Sequence, residues 1–530
     1  MIKSQVIRLT LAGIAGTLMG ATTAPLGIWP LAWIALTPLW ILIHQLPVIT
    51  AWRTQVIFPC LVWGIGYYGF ALFWITGIHP MTWLGVPWFP SLLTTVICWI
   101  GITLWGAGLV TIWGVVTVAV SSWVRNRKQL GEEVRNPTGC NWKRVILGVA
   151  VWCALEALWS HTPLWWPSLA YTQSPHQLAF PQNLAILHLG QFSGTSTITA
   201  VIVAVNGLIA ETRLSYLGWR GYRWPVILCL MAHLLGLTLY SRPLNDAPES
   251  VLKIGVIQGN ISNEIKFNSQ GWKKALAGYT TGYHFLADQG VDAVLLPETA
   301  IPYLWVPEIR VYNPLDQAIR ERGVPAFVGA FGEQGERITN SLFLMDGAGK
   351  IISRYDKIHL VPLGEYIPLE SIFGRFINRL SPLDARLTLG NSQQLFDTPW
   401  GRMIIGICYD SAYSQHFRRQ ALAGGNLILM ASNDAHYTAA MLAQHHAQDV
   451  MRAIETDRWM VRATNTGYSG TIDPHGRTIW RSQINTYQRE IATVYRRTSQ
   501  TLYVRWGDWL TPILFGIGIY LLIDFKRPKK

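Results

Sequence analysis

Three side chains of types that cooperate in acyl chemistry stand at the ends of short apolar runs. Glu298 follows Val294-Leu295-Leu296-Pro297, Lys357 closes Ile351-Ile352-Ser353-Arg354-Tyr355-Asp356, and Cys408 ends Arg402-Met403-Ile404-Ile405-Gly406-Ile407. A carboxylate can take the proton of a thiol, a thiolate can attack a carbonyl carbon, and an ammonium can stabilise the resulting oxyanion. Cys408 is the only cysteine between Val251 and Arg497. Cys60, Cys98, Cys140, Cys153 and Cys229 lie in or beside hydrophobic segments, so Cys408 has no disulfide partner in its own domain. Taken singly, each residue has an ordinary reading as a solvated glutamate, a surface lysine or an inert buried cysteine. Their significance depends on the elements that position them.

From Leu252 onward, short branched apolar runs alternate with helical or turn segments. Strands are expected at Leu252 to Gln258, Ala293 to Leu296, Ala326 to Gly329, Ser341 to Met345, Met403 to Cys408, Leu427 to Ala431, Trp459 to Ala463 and Ile491 to Tyr495. Helices are expected near Gly271 to Gln289, Pro314 to Arg322, Ser414 to Ala423 and Ala439 to Thr456. Strands mixed with helices over about 250 residues imply one α/β domain of sandwiched sheets, with chemistry collected at strand ends.

The remainder reads as membrane protein. Of 530 residues 50% are hydrophobic and only 14% charged, with 26 tryptophans, a balance outside the usual range for a soluble domain. About 20 mostly apolar residues cross the hydrocarbon core. Seven such runs precede the α/β domain: Ile7 to Thr23, Ile28 to Leu46, Val56 to Ile75, Ser91 to Val120, Val145 to Trp159, Ile186 to Ala210 and Trp224 to Tyr240. An eighth, Trp509 to Phe525, follows it. The expected organisation is a seven-helix transmembrane domain over 1–241, a catalytic domain over 251–497 and a C-terminal transmembrane helix over 505–525. The first run is expected to persist as a helix rather than be cleaved as a signal peptide.

Basic residues cluster between the fourth and fifth runs (Arg125, Arg127, Lys128, Arg135, Lys143, Arg144), between the sixth and seventh (Arg213, Arg220, Arg223), and at the end (Lys526, Arg527, Lys529, Lys530). All three sets fall on the cytoplasmic side if the amino terminus is cytoplasmic, which puts the α/β domain outside. This distribution accounts for the net charge of +13 without nucleic acid as a partner. Glu156 sits at membrane depth, where an acidic residue is either functional or paired inside the bundle. No internal repeat supports a transporter. His436, His445 and His446 cluster, but without HExxH spacing or a paired-cysteine site, so no metal is expected. No glycine-rich phosphate loop is evident, and no cofactor is expected.

The local sequences around the three residues resemble the nitrilase superfamily and, more narrowly, the apolipoprotein N-acyltransferase family. The resemblance rests on Leu296-Pro297-Glu298-Thr299-Ala300, on the block from Tyr355 to Pro368 that contains Lys357 and Glu365, on Gly406-Ile407-Cys408-Tyr409, and on Ala431-Ser432-Asn433-Asp434-Ala435. Arg452-Ala453-Ile454-Glu455 and Arg462-Ala463-Thr464-Asn465-Thr466-Gly467 extend it. It implies a multi-pass α-helical membrane domain plus a nitrilase-like αββα sandwich. It also implies Glu298 as general base, Lys357 as oxyanion stabiliser, Cys408 as nucleophile, Glu365 as support for the lysine, and Tyr409 as an aromatic neighbour. Two positions depart from the family pattern: Asp410 stands where a glutamate is common, and Phe267 where a tryptophan is expected.

The implied reaction is ping-pong. Cys408 takes an acyl chain from a phospholipid as a thioester, then passes it to the α-amine of a diacylglyceryl-cysteine apolipoprotein at the bacterial inner membrane, on the periplasmic face. Phe267, Trp305, Phe373 and Phe376 are expected to touch lipid or line an acyl pocket, in apolar segments that would be a liability as solvated loops. The alternatives are a membrane-tethered nitrilase-like amidase that delivers water to the thioester, and a non-enzymatic membrane scaffold.

Overall fold

The computed structural model describes residues 2–45, 52–128, 140–174, 181–366, 387–435 and 437–524. It divides into two units, one comprising Met1–Thr76, Thr95–Arg242 and Trp506–Lys530, the other Gly77–Thr94 and Pro243–Arg505. Each of the eight apolar runs forms helix: Ile2–Gly20, Thr37–His44, Phe58–Ala71, Trp88–Lys128, Trp142–Trp159, Thr195–Leu214, Arg223–Tyr240 and Leu510–Asp524. Among the described residues, Trp88–Ser122, Thr195–Leu214 and Trp219–Tyr240 are long and apolar enough to cross a membrane, and four shorter apolar helices accompany them. The sixth run is broken into Leu184–Leu187, Gly190–Ser193 and Thr195–Leu214, and the second run is not one helix either. It opens with a 3-10 turn, Trp29–Trp33, and Pro30 and Pro38 each occupy the first turn of their element, where a missing N–H costs nothing.

Within the helical unit, backbones meet through small residues. A Cβ at Gly16 would lie 2.0 Å from the Trp63 carbonyl oxygen, and one at Gly66 would lie 2.7 Å from that of Gly13. Only glycine permits the helices Ile2–Gly20 and Phe58–Ala71 to cross this closely. Glu156 is paired inside the bundle. It accepts hydrogen bonds from the Leu169 N–H at 2.8 Å, Trp152 Nε1 at 3.2 Å, Ser168 Oγ at 2.8 Å and Thr199 Oγ1 at 2.9 Å. Both of its oxygens are thus hydrogen-bonded, as burial of a carboxyl requires.

The second unit is the α/β domain. Its strands are β1 (Val251–Gln258), β2 (Ala293–Leu295), β3 (Ile301–Leu304), β4 (Ala326–Gln334), β5 (Arg337–Met345), β6 (Ile351–Asp356), β7 (Phe396–Thr398), β8 (Gly401–Ile407), β9 (Ile428–Ser432), β10 (Met460–Thr464), β11 (Gly470–Ile472), β12 (Thr478–Arg481) and β13 (Gln488–Tyr495). One sheet runs β13-β1-β2-β4-β5-β6 with β3 beside β4, and the other β12-β11-β10-β9-β8-β7. Alternate side chains separate the layers, as a period of two requires. Leu252, Ile254 and Val256 of β1 join Met403, Ile405 and Ile407 of β8 between the sheets. Ile257 and Val294 face outward onto the helices Ser269–Asp288 and Pro314–Arg322.

On the far side lie Ser414–Leu422 and Ala439–Thr456. A Cβ at Gly406 would come within 2.8 Å of the Phe417 ring, so the glycine admits the first of these helices against β8. The result is the αββα sandwich. Parallel strands β1, β2 and β4 lie in one sheet and β8, β9 and β10 in the other; Glu298 follows β2, Cys408 follows β8 and Lys357 follows β6, each beyond the carboxyl end of its strand.

Candidate active site

Glu298 lies three residues beyond β2. Thr299 after it takes φ +44°, and a Cβ at Gly329 of β4 would sit 2.1 Å from the Pro297 carbonyl oxygen. The glycine therefore lets the Glu298 turn press against the neighbouring strand. Lys357 is the first residue past β6. Its N–H donates to the Asn340 carbonyl at 2.8 Å and its own carbonyl accepts from the Gly390 N–H at 2.9 Å. Cys408 follows β8 directly, at φ +47°.

These elements converge on a buried ion cluster. Lys357 Nζ donates to Glu298 Oε1 at 2.9 Å and to Glu365 Oε1 at 3.0 Å, and lies 2.8 Å from Glu365 Oε2. Asn340 Nδ2 bridges the same two carboxylates, at 2.7 Å to Glu298 Oε1 and 3.0 Å to Glu365 Oε1. Glu365 Oε2 also accepts the Val361 N–H at 2.8 Å. Among the described residues, both hydrogen bonds to the Glu298 carboxylate fall on Oε1. Burial alone would lower the Lys357 ammonium, but Glu298 and Glu365 outweigh it and hold its pKa well above the ordinary value. Burial pushes the Cys408 thiol well up, helped by the charge of Glu298 and opposed by that of Lys357. The resting sulfur is therefore a thiol that needs a base at the moment of attack.

Two residues of this cluster were not picked out from the sequence. Asn340 belongs to Thr339-Asn340-Ser341, a polar triplet inside an otherwise apolar strand, which is the signal that marks it. Lys266 is buried at 2% exposure, and its Nζ donates to the Glu298 carbonyl oxygen at 3.2 Å. Burial lowers its pKa to about 7 against the raising influence of Glu298 and Cys408.

Asp410 has a definite place. Its Oδ2 accepts the Ile407 N–H at 3.0 Å and the Tyr355 hydroxyl at 2.9 Å, while Oδ1 accepts the His359 N–H at 3.0 Å and meets His359 Nδ1 at 2.8 Å. It ties the residues flanking Lys357 to the one preceding Cys408. Tyr409 is buried edge-on to Tyr413, at 5.4 Å between ring centroids.

Of the residues expected to touch lipid, Phe267 is half-buried and packs with Leu304, Ile338 and Tyr366 against Phe331, Leu360 and Leu387. Trp305 requires correction. It is 2% exposed in the layer between sheet and helices, its indole N–H on Met345 Sδ at 3.4 Å and the Arg310 guanidinium 5.5 Å from its ring. Trp305 thus packs inward, whereas Leu304 beside it joins the Phe267 cluster. Phe373 and Phe376 lie outside the described residues, as does His436.

Cys408, Asp434 and His445 bring donor atoms within 4.8 Å of one another, a grouping that invites a cation. The Arg462 guanidinium already supplies one, bonding Asp434 Oδ2 and His445 Nδ1 at 2.9 Å each.

A glutamate, a lysine and a cysteine meeting at strand ends of an αββα sandwich define a nitrilase-like catalytic domain, and residues 253–501 match the family model of the carbon-nitrogen hydrolases. Residues 15–208 match the apolipoprotein N-acyltransferase N-terminal domain. The chain is 52% identical to an apolipoprotein N-acyltransferase from Nostoc sp. over 94% of its length and 96% of the relative's. It is 46% identical to one from Synechocystis sp. over 94% and 97%. It belongs to the apolipoprotein N-acyltransferase family. Among solved structures, an amidase from Nesterenkonia sp. aligns at 18% identity with TM-score 0.36, over 49% of this chain and 94% of that one.

Proposed function

We infer that the protein N-acylates lipoproteins by a ping-pong mechanism in which Cys408 carries the acyl chain. The observation that carries this reading is the buried Glu298–Lys357–Glu365 cluster beside a thiol at the end of β8. The Glu298 carboxylate takes the Cys408 proton as Sγ attacks the ester carbonyl carbon of a phospholipid. Lys357, held charged by two carboxylates, stabilises the oxyanion. Collapse of that intermediate breaks the ester C–O bond, and Glu298 returns its proton to the leaving lysophospholipid oxygen. The α-amine of a diacylglyceryl-cysteine then attacks the thioester, Glu298 takes an amine proton, and the thiolate leaves and is reprotonated as the amide forms.

Membrane helices before and after the catalytic domain support this reading, since both substrates are then held in one bilayer at high effective concentration. The basic loops support an extracytoplasmic catalytic domain over 251–497 at the bacterial inner membrane. The apolar cluster around Phe267 is the surface we assign to an acyl chain, and Phe373 and Phe376 are the further residues proposed to contact lipid. The test is mass spectrometry of a diacylated lipoprotein amino terminus after incubation with enzyme and phospholipid. Gain of one fatty-acyl amide supports the reading. Release of free fatty acid without amide would favour a hydrolase.

A further inference from the structure

The nucleophile sits in a backbone conformation that L residues avoid, because left-handed φ crowds Cβ against the following carbonyl. The conformation has a consequence for aim. Period-two alternation along β8 would send Cys408 the way of Ile404 and Gly406, yet Cys408 joins Met403, Ile405 and Ile407 in the layer between the sheets. Something must hold this turn, and the helix Ala439–Thr456 supplies the groups that do. His445 Nε2 lies 3.0 Å from the Cys408 carbonyl oxygen. Three residues further along the turn, Ser411 Oγ donates to Asp449 Oδ1 at 2.6 Å, and its carbonyl accepts from Arg452 Nη1 at 3.1 Å. His445, Asp449 and Arg452 fall at i, i+4 and i+7 of the helix Ala439–Thr456, and so share one face.

The state of His445 follows from its other neighbours. Its Nδ1 is 2.9 Å from Arg462 Nη2 and 3.3 Å from Asp434 Oδ1. The two contacts demand opposite tautomers. A guanidinium has donors only, so the shorter contact makes Nδ1 an acceptor and leaves the ring proton on Nε2, aimed at the Cys408 carbonyl. Arg462 is fixed in turn by Asp434 and Asp449, which closes the network back onto Ser411.

We propose that His445 is a positioning residue for the nucleophile: with Asp449 and Arg452 it forms a clamp on one helix face that holds Cys408 left-handed and aims Sγ into the site. Its role is to donate one hydrogen bond, not to exchange protons with the thiol. A glutamine amide reaches where Nε2 does, whereas an asparagine amide reaches only as far as Nδ1. The experiment uses the full chain in detergent and measures two rates by peptide mass spectrometry, alkylation of Cys408 by iodoacetamide and its acylation by phospholipid. His445→Asn should slow both by about 10- to 100-fold through misplacement of Sγ, while His445→Gln stays within about threefold of wild type. An asparagine variant reacting at the wild-type rate or faster would overturn the clamp. A glutamine variant as slow as the asparagine variant would also overturn it, by assigning His445 an acid-base role.

Discussion

Asp410→Asn probes the link between the two halves of the site. The carboxylate accepts from two backbone N–H groups, those of Ile407 and His359, and from the Tyr355 hydroxyl, with His359 Nδ1 as its fourth neighbour. Asparagine keeps one accepting oxygen and turns an NH2 group toward the remaining two donors. Hydrogen bonds to a charged acceptor contribute about 1.5–3 kcal/mol each, so losing two costs about 3–6 kcal/mol. At the lower end that lowers the melting temperature by about 6–12 °C for a domain of this size.

Tyr355 and His359 lie two residues either side of Lys357, so the same change lets the ammonium drift from Cys408 and slows acylation. The assay is a thermal melt of the full chain in detergent beside the rate of acyl-enzyme formation. Burial would raise the Asp410 pKa, but the His359 hydrogen bond and the nearby imidazoles outweigh it and hold it below the ordinary carboxylate range. A depressed folded pKa gives stability that is present above the unfolded value and lost as pH falls through the folded one. The wild-type advantage should therefore hold at neutral pH and shrink in acid. An asparagine variant that melts with wild type and acylates at the wild-type rate would show that Asp410 does not hold the two halves of the site together.

Glu298→Gln should reduce acyl-enzyme formation by about 10² to 10⁴ and Lys357→Met by about 10² to 10³, measured as the rate of mass gain on Cys408; wild-type rates in either would remove that residue from the mechanism. Lys266, with a pKa near 7, carries a folded-state pKa below its unfolded one, so stability should rise as pH climbs from about 7 toward the ordinary lysine range. Denaturation across that window should lose this rise in Lys266→Met. A membrane-impermeant thiol label applied to intact cells should reach cysteines engineered into the surface of the 251–497 domain and miss ones placed near Lys128 or Lys529, and the reverse pattern would contradict the charge argument.

The parts of the fold legible in the sequence are those with local causes. Pro314–Arg322 is delimited by Asn313, whose side chain caps the Leu315 N–H, by proline in the first turn and by Gly323 at φ +69°, all of which are local signals. The apolar runs ending at Gln258 and Ile407 carry enough β-branched residues to mark central strands. Short strands such as β7, β11 and β12 have three or four residues and owe their existence to partners across the sheet, so no local pattern announces them. Glu298, Lys357 and Cys408 stand out in the sequence because they end short runs and because the motifs around them resemble those of a known family. Lys266, Asn340 and the role of His445 do not, because each acts through a residue distant in sequence. Trp305 misled because an apolar loop reads the same whether it faces lipid or its own core.

The most direct test is the covalent state of Cys408. Purified protein incubated with a phospholipid of defined acyl chain should gain that single acyl mass on the peptide containing Cys408, and lose it as an amide appears when a diacylated lipoprotein is added. Cys408→Ala should show neither event. Acylation that persists in the alanine variant, or amide formed without any Cys408 adduct, would contradict the account.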